Sequence, residues 1–468
     1  MVTESPVTGG RGRSRSLAAL LSFLWPGLGQ FYLGKRRTAA IFAVPAVLVL
    51  LLLAYGLQRG AVVFAAQLFA DRTIGLVAVA ILVLLGVWRL ASVILAFIGG
   101  QEPRPTRNRI VDRAVVIALV LIIAITHFGG SYYLLAYSNA GSQVFDPNNP
   151  NLIVQSSPGS SLAPGETAQP TETLPPPSSG GRVTILFTGV DSAPGRGETL
   201  YDSILVVSFD PASNSVQMIS VPRDSASFPF YFGGVDSPTV KINALPTYVR
   251  HGWIKSPNSP YVTLVNEVSY LVGIPINYYA VMDLGGFVKM IDAVGGIDIV
   301  NPGAISDPTY DWLNGGNLGF YLTAGSHHLN GKNALAYVRS RHGSNGTTGN
   351  SDYARADRQQ QVLIALLHKM AQPSQILALP GLISTIGSSV STDFPSDKVA
   401  DYVANGQNVP SGNIKQVVLE PPTYSVTGIS TVTASSCLIN AKVAALSVQW
   451  FGKDSTWYGK PAPANTCP

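Results

Sequence analysis

Val183-Thr184-Ile185-Leu186-Phe187-Thr188-Gly189-Val190-Asp191 is an apolar, β-branched run that stops on a glycine and an acid. It reads as a buried strand, and two runs of the same kind follow at 203–209 and 215–221, joined by the turn Asp210-Pro211-Ala212-Ser213-Asn214. Downstream the pattern alternates. The periodicity predicts helices over 261–271 and 284–294, the second stopped by Gly295-Gly296, with strands over 277–282 and 297–300 around it. Helices over 332–337 and 352–370 and a late strand over 414–420 complete the set. Strands alternating with helices predict an α/β domain, a layered α-β-α sandwich occupying residues 183–468.

Upstream of that domain the composition changes twice. Residues 138–182 hold 8 Pro, 8 Ser and 5 Gly, with Pro175-Pro176-Pro177 near the end. Such a stretch buries too little apolar area to offset its ordering entropy, so it reads as a linker. Residues 1–137 hold three apolar runs, 38–57, 73–98 and 114–137, whose only charge is Arg89. Each meets the ~20 residues that a helix needs to cross a bilayer. A shorter run, 17–33, is broken by Pro26-Gly27 and Gly29, which leaves a fourth span, a bent hairpin or an interfacial segment.

Charge favours three spans. The chain of 468 residues is only 12% charged and 46% apolar, with a mean hydropathy of +0.25, whereas soluble proteins are about 25% charged. Residues 1–137 carry 13 of the 31 Lys+Arg and 4 of the 26 Asp+Glu, a balance of +9, which leaves 18 against 22, or −4, for the remainder. With three spans, Arg11, Arg13, Arg15, Lys35, Arg36 and Arg37 share one side with Arg104, Arg107, Arg109 and Arg113. The positive-inside rule then makes the chain a multi-pass protein of the cell membrane with its large C-terminal domain extracytoplasmic. An acidic outer domain excludes a broad phosphate-backbone surface, so no nucleic-acid partner is expected.

Two cysteines exclude a cysteine-built zinc or iron–sulfur site. Cys437 and Cys467 lie in the exported part, where a disulfide tying down the C-terminal tail is expected. His327-His328 lacks the spacing for two ligands on one metal and reads as surface loop, and Asn345-Gly346-Thr347 matches a glycosylation acceptor only by composition.

Polar residues that carry chemistry gather at four places. Asp191 ends the first strand and Asp202 opens the second, so two carboxylates at neighbouring strand ends can share one Mg²⁺, or else serve as turn and cap residues. Val221-Pro222-Arg223-Asp224 follows the third strand, where a guanidinium fork suits phosphate oxygens, and Lys241-Ile242-Asn243 comes next. Arg339-Ser340-Arg341 ends a helix, where arginine also complements the dipole. At about 100° per residue, Asp352, Arg355 and Gln359 lie within roughly 60° of one another and continue the stripe of Val362, Leu366 and Met370, with Arg358 on its flank. Charges on a core-facing stripe must be paired or liganded.

Together, Gly189-Val190-Asp191, Tyr201-Asp202-Ser203, Val221-Pro222-Arg223-Asp224, Lys241-Ile242-Asn243, Tyr337-Val338-Arg339-Ser340-Arg341 and Asp352 to Gln361 resemble the LytR–CpsA–Psr (LCP) family of cell-wall enzymes over about residues 183–372. The stretch 279–301, with Asp283, Phe287 and Val294-Gly295-Gly296-Ile297, is similar to that family's middle segment. The resemblance implies a phosphotransferase that moves a glycopolymer from a polyprenyl-pyrophosphate carrier onto peptidoglycan through a phosphodiester. It implies Asp191 and Asp202 as Mg²⁺ ligands, and Arg223, Asp224, Asp352 and Arg355 as the catalytic set. Either aspartate of that set would accept the hydroxyl proton. Arg339, Arg341, Arg358, Gln359, Lys241 and Asn243 would bind substrate, and a polyprenyl tail would enter the sandwich. Membrane lipid, the lipid-linked polymer and the wall acceptor are therefore the expected partners.

Two features depart from the family pattern. Most members have one anchoring helix, and here Trp25-Pro26-Gly27-Leu28-Gly29-Gln30-Phe31-Tyr32-Leu33-Gly34 resembles a small membrane motif of unrelated bacterial proteins. The Gly/Ser/Thr/Asn loop 343–351 separates Arg341 from Asp352. The competing functions are a non-catalytic receptor for lipid-linked glycopolymer and a polyprenyl pyrophosphatase. Transport lacks a paired-repeat pattern.

Overall fold

The structure is a computed structural model. It describes residues 13–100, 106–145, 174–178, 180–191, 200–226, 228–233, 240–312, 318–341, 351–370, 372, 389–406, 409–421, 423–424, 426–427, 436–437 and 440–463. It divides into two compact units, residues 1–139 and 140–468.

In the first unit, α1 (Arg15–Leu24) and α2 (Leu28–Tyr32) form a hairpin, followed by α3 (Arg36–Gly56), α4 (Ala61–Ala70), α5 (Arg72–Gly99), α6 (Thr106–Ala124) and α7 (Gly130–Val144). Among the described residues, three stretches are long and apolar enough to cross a membrane: Arg36–Arg59, Arg72–Gly99 and Ile110–Val144. The broken run 17–33 does not make a fourth. Arg15 Nε donates to Gly100 O at 2.8 Å at the C-terminal end of α5, and Arg89 Nη2 reaches Phe23 O at 2.7 Å. Gly27 N–H then donates to Ser92 Oγ at 3.2 Å, and Gln30 Nε2 to Ser92 O at 2.8 Å. Leu33 and Lys35 lie back against Gly99. The chain thus descends along α5 from Gly100 to Ser92, about 12 Å at 1.5 Å per residue, and returns to the level at which it entered. Gly27 makes the bend possible: its φ is +98°, and a Cβ there would sit 2.3 Å from Ala39 O.

The second unit is a three-layer sandwich. β1 (Val183–Asp191), β2 (Leu200–Asp210), β3 (Ser215–Ser220), β4 (Tyr278–Asp283), β9 (Val390–Thr392) and β10 (Ile414–Val418) form one mixed sheet in the order β10-β3-β2-β1-β4-β9. The β1–β2 and β2–β3 pairs are antiparallel, and β1–β4 and β3–β10 are parallel. Alternation assigns the faces. Leu186, Val190, Ile204, Val206, Ile219, Tyr279 and Val281 enter one apolar core with Leu264, Val268 and Leu271 of α9 (Pro260–Val272) and Val443 and Leu446 of α14 (Ala441–Phe451). Full burial of an aliphatic side chain contributes about 1.5–3 kcal/mol, so this core supplies most of the domain's cohesion. Between β3 and α9 lies the short helix α8 (Leu245–Arg250).

The opposite face carries α10 (Leu284–Ala293), α11 (Gly331–Arg339) and α12 (Asp352–Met370). Gln360 stitches α12 down: its Nε2 lies 2.8 Å from Ser220 Oγ and 2.9 Å from Val417 O. Asp283 and Asn330 cap α10 and α11, accepting from Gly286 N–H and Asn333 N–H. A further short helix is α13 (Val399–Gly406).

Two strand pairs lie beyond the main sheet, of which only the strand over 297–300 is read from the sequence. β5 (Ile297–Asn301) pairs with β8 (Gly325–Leu329), and β6 (Ile305–Asp311) with β7 (Leu318–Leu322). His327 and His328 are therefore strand residues rather than loop, and His328 Nδ1 meets Asp298 Oδ1 at 2.7 Å. Cys437 sits in a two-residue strand paired with Val426-Thr427; Cys467, and so the expected disulfide, lies outside the described residues, as does Asn345-Gly346-Thr347.

Candidate active site

Asp191 and Asp202 reach the helix-bearing face for different reasons. Asp191 does so by plain alternation, one residue beyond core-facing Val190. Asp202 does so through a bulge: Gly189 pairs with Ser203 and Val190 with Tyr201, so Asp202 is the surplus residue of β2. In unbroken alternation it would share the face of Ile204 and Val206. The bulge gives that place to Tyr201, which is fully buried in the core, and turns Asp202 the other way.

Around these acids the structure gathers the basic groups. Asp191, 1% exposed, accepts from Arg339 Nη2 at 2.9 Å, the last residue of α11. Asp202 accepts from Arg223 Nη1, and its backbone carbonyl lies 3.4 Å from Arg355 Nη2. Arg223 Nε is 3.7 Å from Asp224 Oδ2 and 3.9 Å from Asp352 Oδ1. Lys241 Nζ donates to Asp224 at 2.7 Å. Asp352 Oδ1 also faces Arg355 Nη2 at 3.3 Å and Arg341 Nη1 at 4.0 Å. The loop carrying Arg223 is pinned by backbone bonds from Ile242 N–H to Ser225 O and from Asn243 N–H to Arg223 O. Asn243 thus acts from beneath the loop.

Five cations (Arg223, Lys241, Arg339, Arg341, Arg355) here meet four acids (Asp191, Asp202, Asp224, Asp352). The pairing is incomplete. Arg223 Nε, Arg355 Nε and Asp352 Oδ1 are buried with no hydrogen-bond partner. A buried guanidinium N–H left unmatched is costly, and two of them flanking one acid describe a cradle shaped for an anion.

Protonation follows the same geometry. Burial raises the Asp352 carboxyl, and the hydrogen bond to Asp224 adds to it, overcoming Arg355 and Arg223. Burial also works on Asp224, but there the hydrogen bond from Asp352 and the neighbouring Lys241 and Arg223 outweigh it and hold the carboxyl below its ordinary value. The two carboxyls are thus moved apart, Asp352 upward and Asp224 downward. Burial, and then Arg223, lower Arg355.

Other expected residues take different places. Arg358, 5% exposed, is as deep as Arg355, but its Nε donates to Tyr337 O at 2.7 Å and its Nη2 to Ser340 O. It thereby braces the end of α11, because the buried face of α12 is wider than one stripe. Gln359 leans on Val338 O at 3.4 Å. Arg341 is the most open of the arginines, its side chain 40% exposed.

Three supporting residues were not read from the sequence. Asp307 on β6, 1% exposed, accepts from Ser340 Oγ at 2.8 Å and from Arg341 N–H at 3.1 Å. It thereby fixes the link between the two arginines at the end of α11. Tyr310 hydrogen-bonds Arg339. Only the Arg-Ser-Arg spacing hinted at Ser340; Asp307 and Tyr310 belong to a hairpin whose strands carry no alternation.

Among the described residues no three His, Cys, Asp or Glu side chains form a metal cage. Asp191 and Asp202 nonetheless suit Mg²⁺, which is held by one or two carboxylates while phosphate oxygens and water complete its shell.

The fold and this cluster define an α/β/α domain, joined to helices of membrane-crossing length, that presents a guanidinium–carboxylate cradle at the end of its sheet. The model of the LytR_cpsA_psr family matches residues 154–445, and the chain belongs to that family. It is 31% identical over 216 residues to the polyisoprenyl-teichoic acid–peptidoglycan teichoic acid transferase TagV of Bacillus subtilis, covering 45% of this chain and 49% of TagV. The chain thus spans about half the length of that relative. It is 29% identical over 288 residues to the transferase TagU of Bacillus mycoides, covering 61% of this chain and 81% of TagU. The crystal structure of B. subtilis TagV superposes with a TM-score of 0.42 at 26% identity, over 55% of this chain and 90% of that one.

Proposed function

We propose that this chain is a membrane-anchored glycopolymer transferase of cell-wall assembly. In this reading it moves a polymer from a polyprenyl-pyrophosphate carrier to a peptidoglycan hydroxyl, leaving a phosphodiester. The observation that carries it is the pair of buried guanidinium nitrogens that make no hydrogen bond, Arg223 Nε and Arg355 Nε, on two arginines that both face Asp352. The family membership and the transferase activities for which TagV and TagU are named support the same reaction class.

Transfer spreads negative charge over the oxygens of the attacked phosphorus. Arg223 and Arg355, already fixed by Asp202 and Asp352, meet that charge without reorganising, which lowers the barrier more than it tightens ground-state binding. Arg339 and Arg341 extend the grip to the second phosphate. Asp191 and Asp202 would hold Mg²⁺, which when bound neutralises pyrophosphate charge. Asp224, whose carboxyl Asp352, Lys241 and Arg223 hold below its ordinary value, is the residue placed to accept the hydroxyl proton. The outer domain faces the wall, with Arg13, Arg15 and Lys35 on the cytoplasmic side.

Purified full-length chain, lipid-linked polymer and a wall acceptor test this directly. Arg355→Ala and Asp202→Ala each abolish transfer, and so does chelation of divalent cations. Full turnover in both variants would sink the assignment, and release of phosphorylated polymer without an acceptor product would make the chain a pyrophosphatase.

A further inference from the structure

A cleft of about 640 Å³ opens on the flank of α12 turned away from Asp352. Asp357, Gln361 and Ile364 recur along that flank at helical spacing, Asn301 follows from β5, and Gln416 closes the other side from edge strand β10. The volume falls within the range of small-ligand sites. The chemistry narrows the ligand. Arg358 lines the cleft, but its Nε and Nη2 are spent on backbone carbonyls. Asp357 adds negative charge, and Glu420 lies close enough to feel it. A polyanion such as pyrophosphate is therefore repelled. Three amides and a carboxylate set against aliphatic walls instead match a neutral ligand rich in hydroxyl and acetamido groups.

The amides are held in place. Gln361 Oε1 accepts from Tyr337 O–H at 2.6 Å, and its Nε2 donates to Val300 O at 2.6 Å. Asn301 Nδ2 donates to Thr323 O at 2.7 Å. Such prior bonds fix the orientation of the remaining donors and acceptors, which reduces the entropy lost on binding. The cleft is also tied to the cradle through shared elements. Tyr337 lies two residues before Arg339 on α11, and Ala354, in the cleft wall, is the neighbour of Arg355.

We propose that this cleft is a saccharide subsite, holding a neutral sugar of a polysaccharide whose reacting end lies at the arginine cradle. That the sugar belongs to a polymer rests on the transferase reading; that the cleft takes a sugar does not. Two sources offer the same chemistry, the glycan strand of the acceptor and the carried glycopolymer.

The test titrates the full chain in lipid nanodiscs, followed by saturation-transfer NMR, with four probes. These are a peptide-free peptidoglycan oligosaccharide, a delipidated glycopolymer fragment, an isolated stem peptide and inorganic pyrophosphate. At least one saccharide binds, and whichever does names the source. Gln361→Ala weakens it about tenfold through lost hydrogen bonds. Gln416→Glu, on an exposed residue whose substitution spares the core, does the same, while Arg355→Ala binds the saccharide as the wild type does. Failure of both saccharides, equal binding by both cleft variants, or binding of the stem peptide alone overturns the proposal. Saccharide binding by a chain that transfers no polymer leaves the cleft assigned and removes the transferase reading.

Discussion

Lys241 donates to Asp224 at 2.7 Å and helps hold that carboxyl below its ordinary value. Removing a cation raises the affinity of a neighbouring carboxylate for protons. Lys241→Met therefore moves the acid limb of the pH–activity profile to higher pH, whereas a purely structural lysine would lower activity evenly at all pH values. Asp393 shows the same physics in a stability role. Burial raises its carboxyl to about 7, against the backbone N–H of Tyr279 that it accepts at 2.7 Å. A raised folded-state value means that the folded chain holds the proton more tightly than the unfolded one. The contribution to stability is then present near pH 4, is lost as pH rises toward 7, and stays lost above it. Asp393→Asn keeps the acceptor and removes the charge, so it should raise stability by roughly 1–3 kcal/mol at pH 8 and by almost nothing at pH 4. Thermal unfolding at the two pH values checks both halves.

Among the elements, the end of α11 is the most heavily braced. Asp307 holds Ser340 and Arg341 from one side, and Arg358 holds Tyr337 and Ser340 from the other. Asp307→Ala leaves buried donors unmatched, a cost of about 1–3 kcal/mol. It also frees Arg341, so transfer falls by more than the stability loss accounts for, mainly in kcat, while melting measurements follow the fold. The legible elements are those with one dominant period. β1 to β3 carry β-branched runs, and α9, α10 and α12 carry apolar stripes, so they stood within a few residues of their observed bounds. β6 to β8 were missed because Asp307-Pro308, Gly319 and His327-His328 have neither alternation nor apolar content. The acids and arginines of the cradle could be named from the sequence because charge next to a buried strand end is conspicuous. The destination of Arg358 could not, since a helix angle says which way a side chain leaves, not which carbonyl it finds. The motif around Pro26 left its topology open until Gly27 and Gln30 were seen bonded to Ser92.

At the scale of the whole molecule, the returning hairpin makes a prediction about sidedness. Ser14 and Lys35 lie at the same level of α5, so single cysteines placed there should react with a membrane-impermeant maleimide from the same side as one at Arg113. A cysteine at Arg59 or at exposed Trp253 should react only from the other. Labelling of Ser14→Cys and Lys35→Cys from opposite sides would restore the four-span alternative.

The surplus residue of β2 gives the chain's length at that point a meaning. Excising Tyr201 would let the ladder close evenly and set Asp202 opposite Val190, swinging its carboxylate into the core with every arginine still in its place. Relatives short by that single position would be well-made proteins with a silent centre, recognisable by counting before any assay is run.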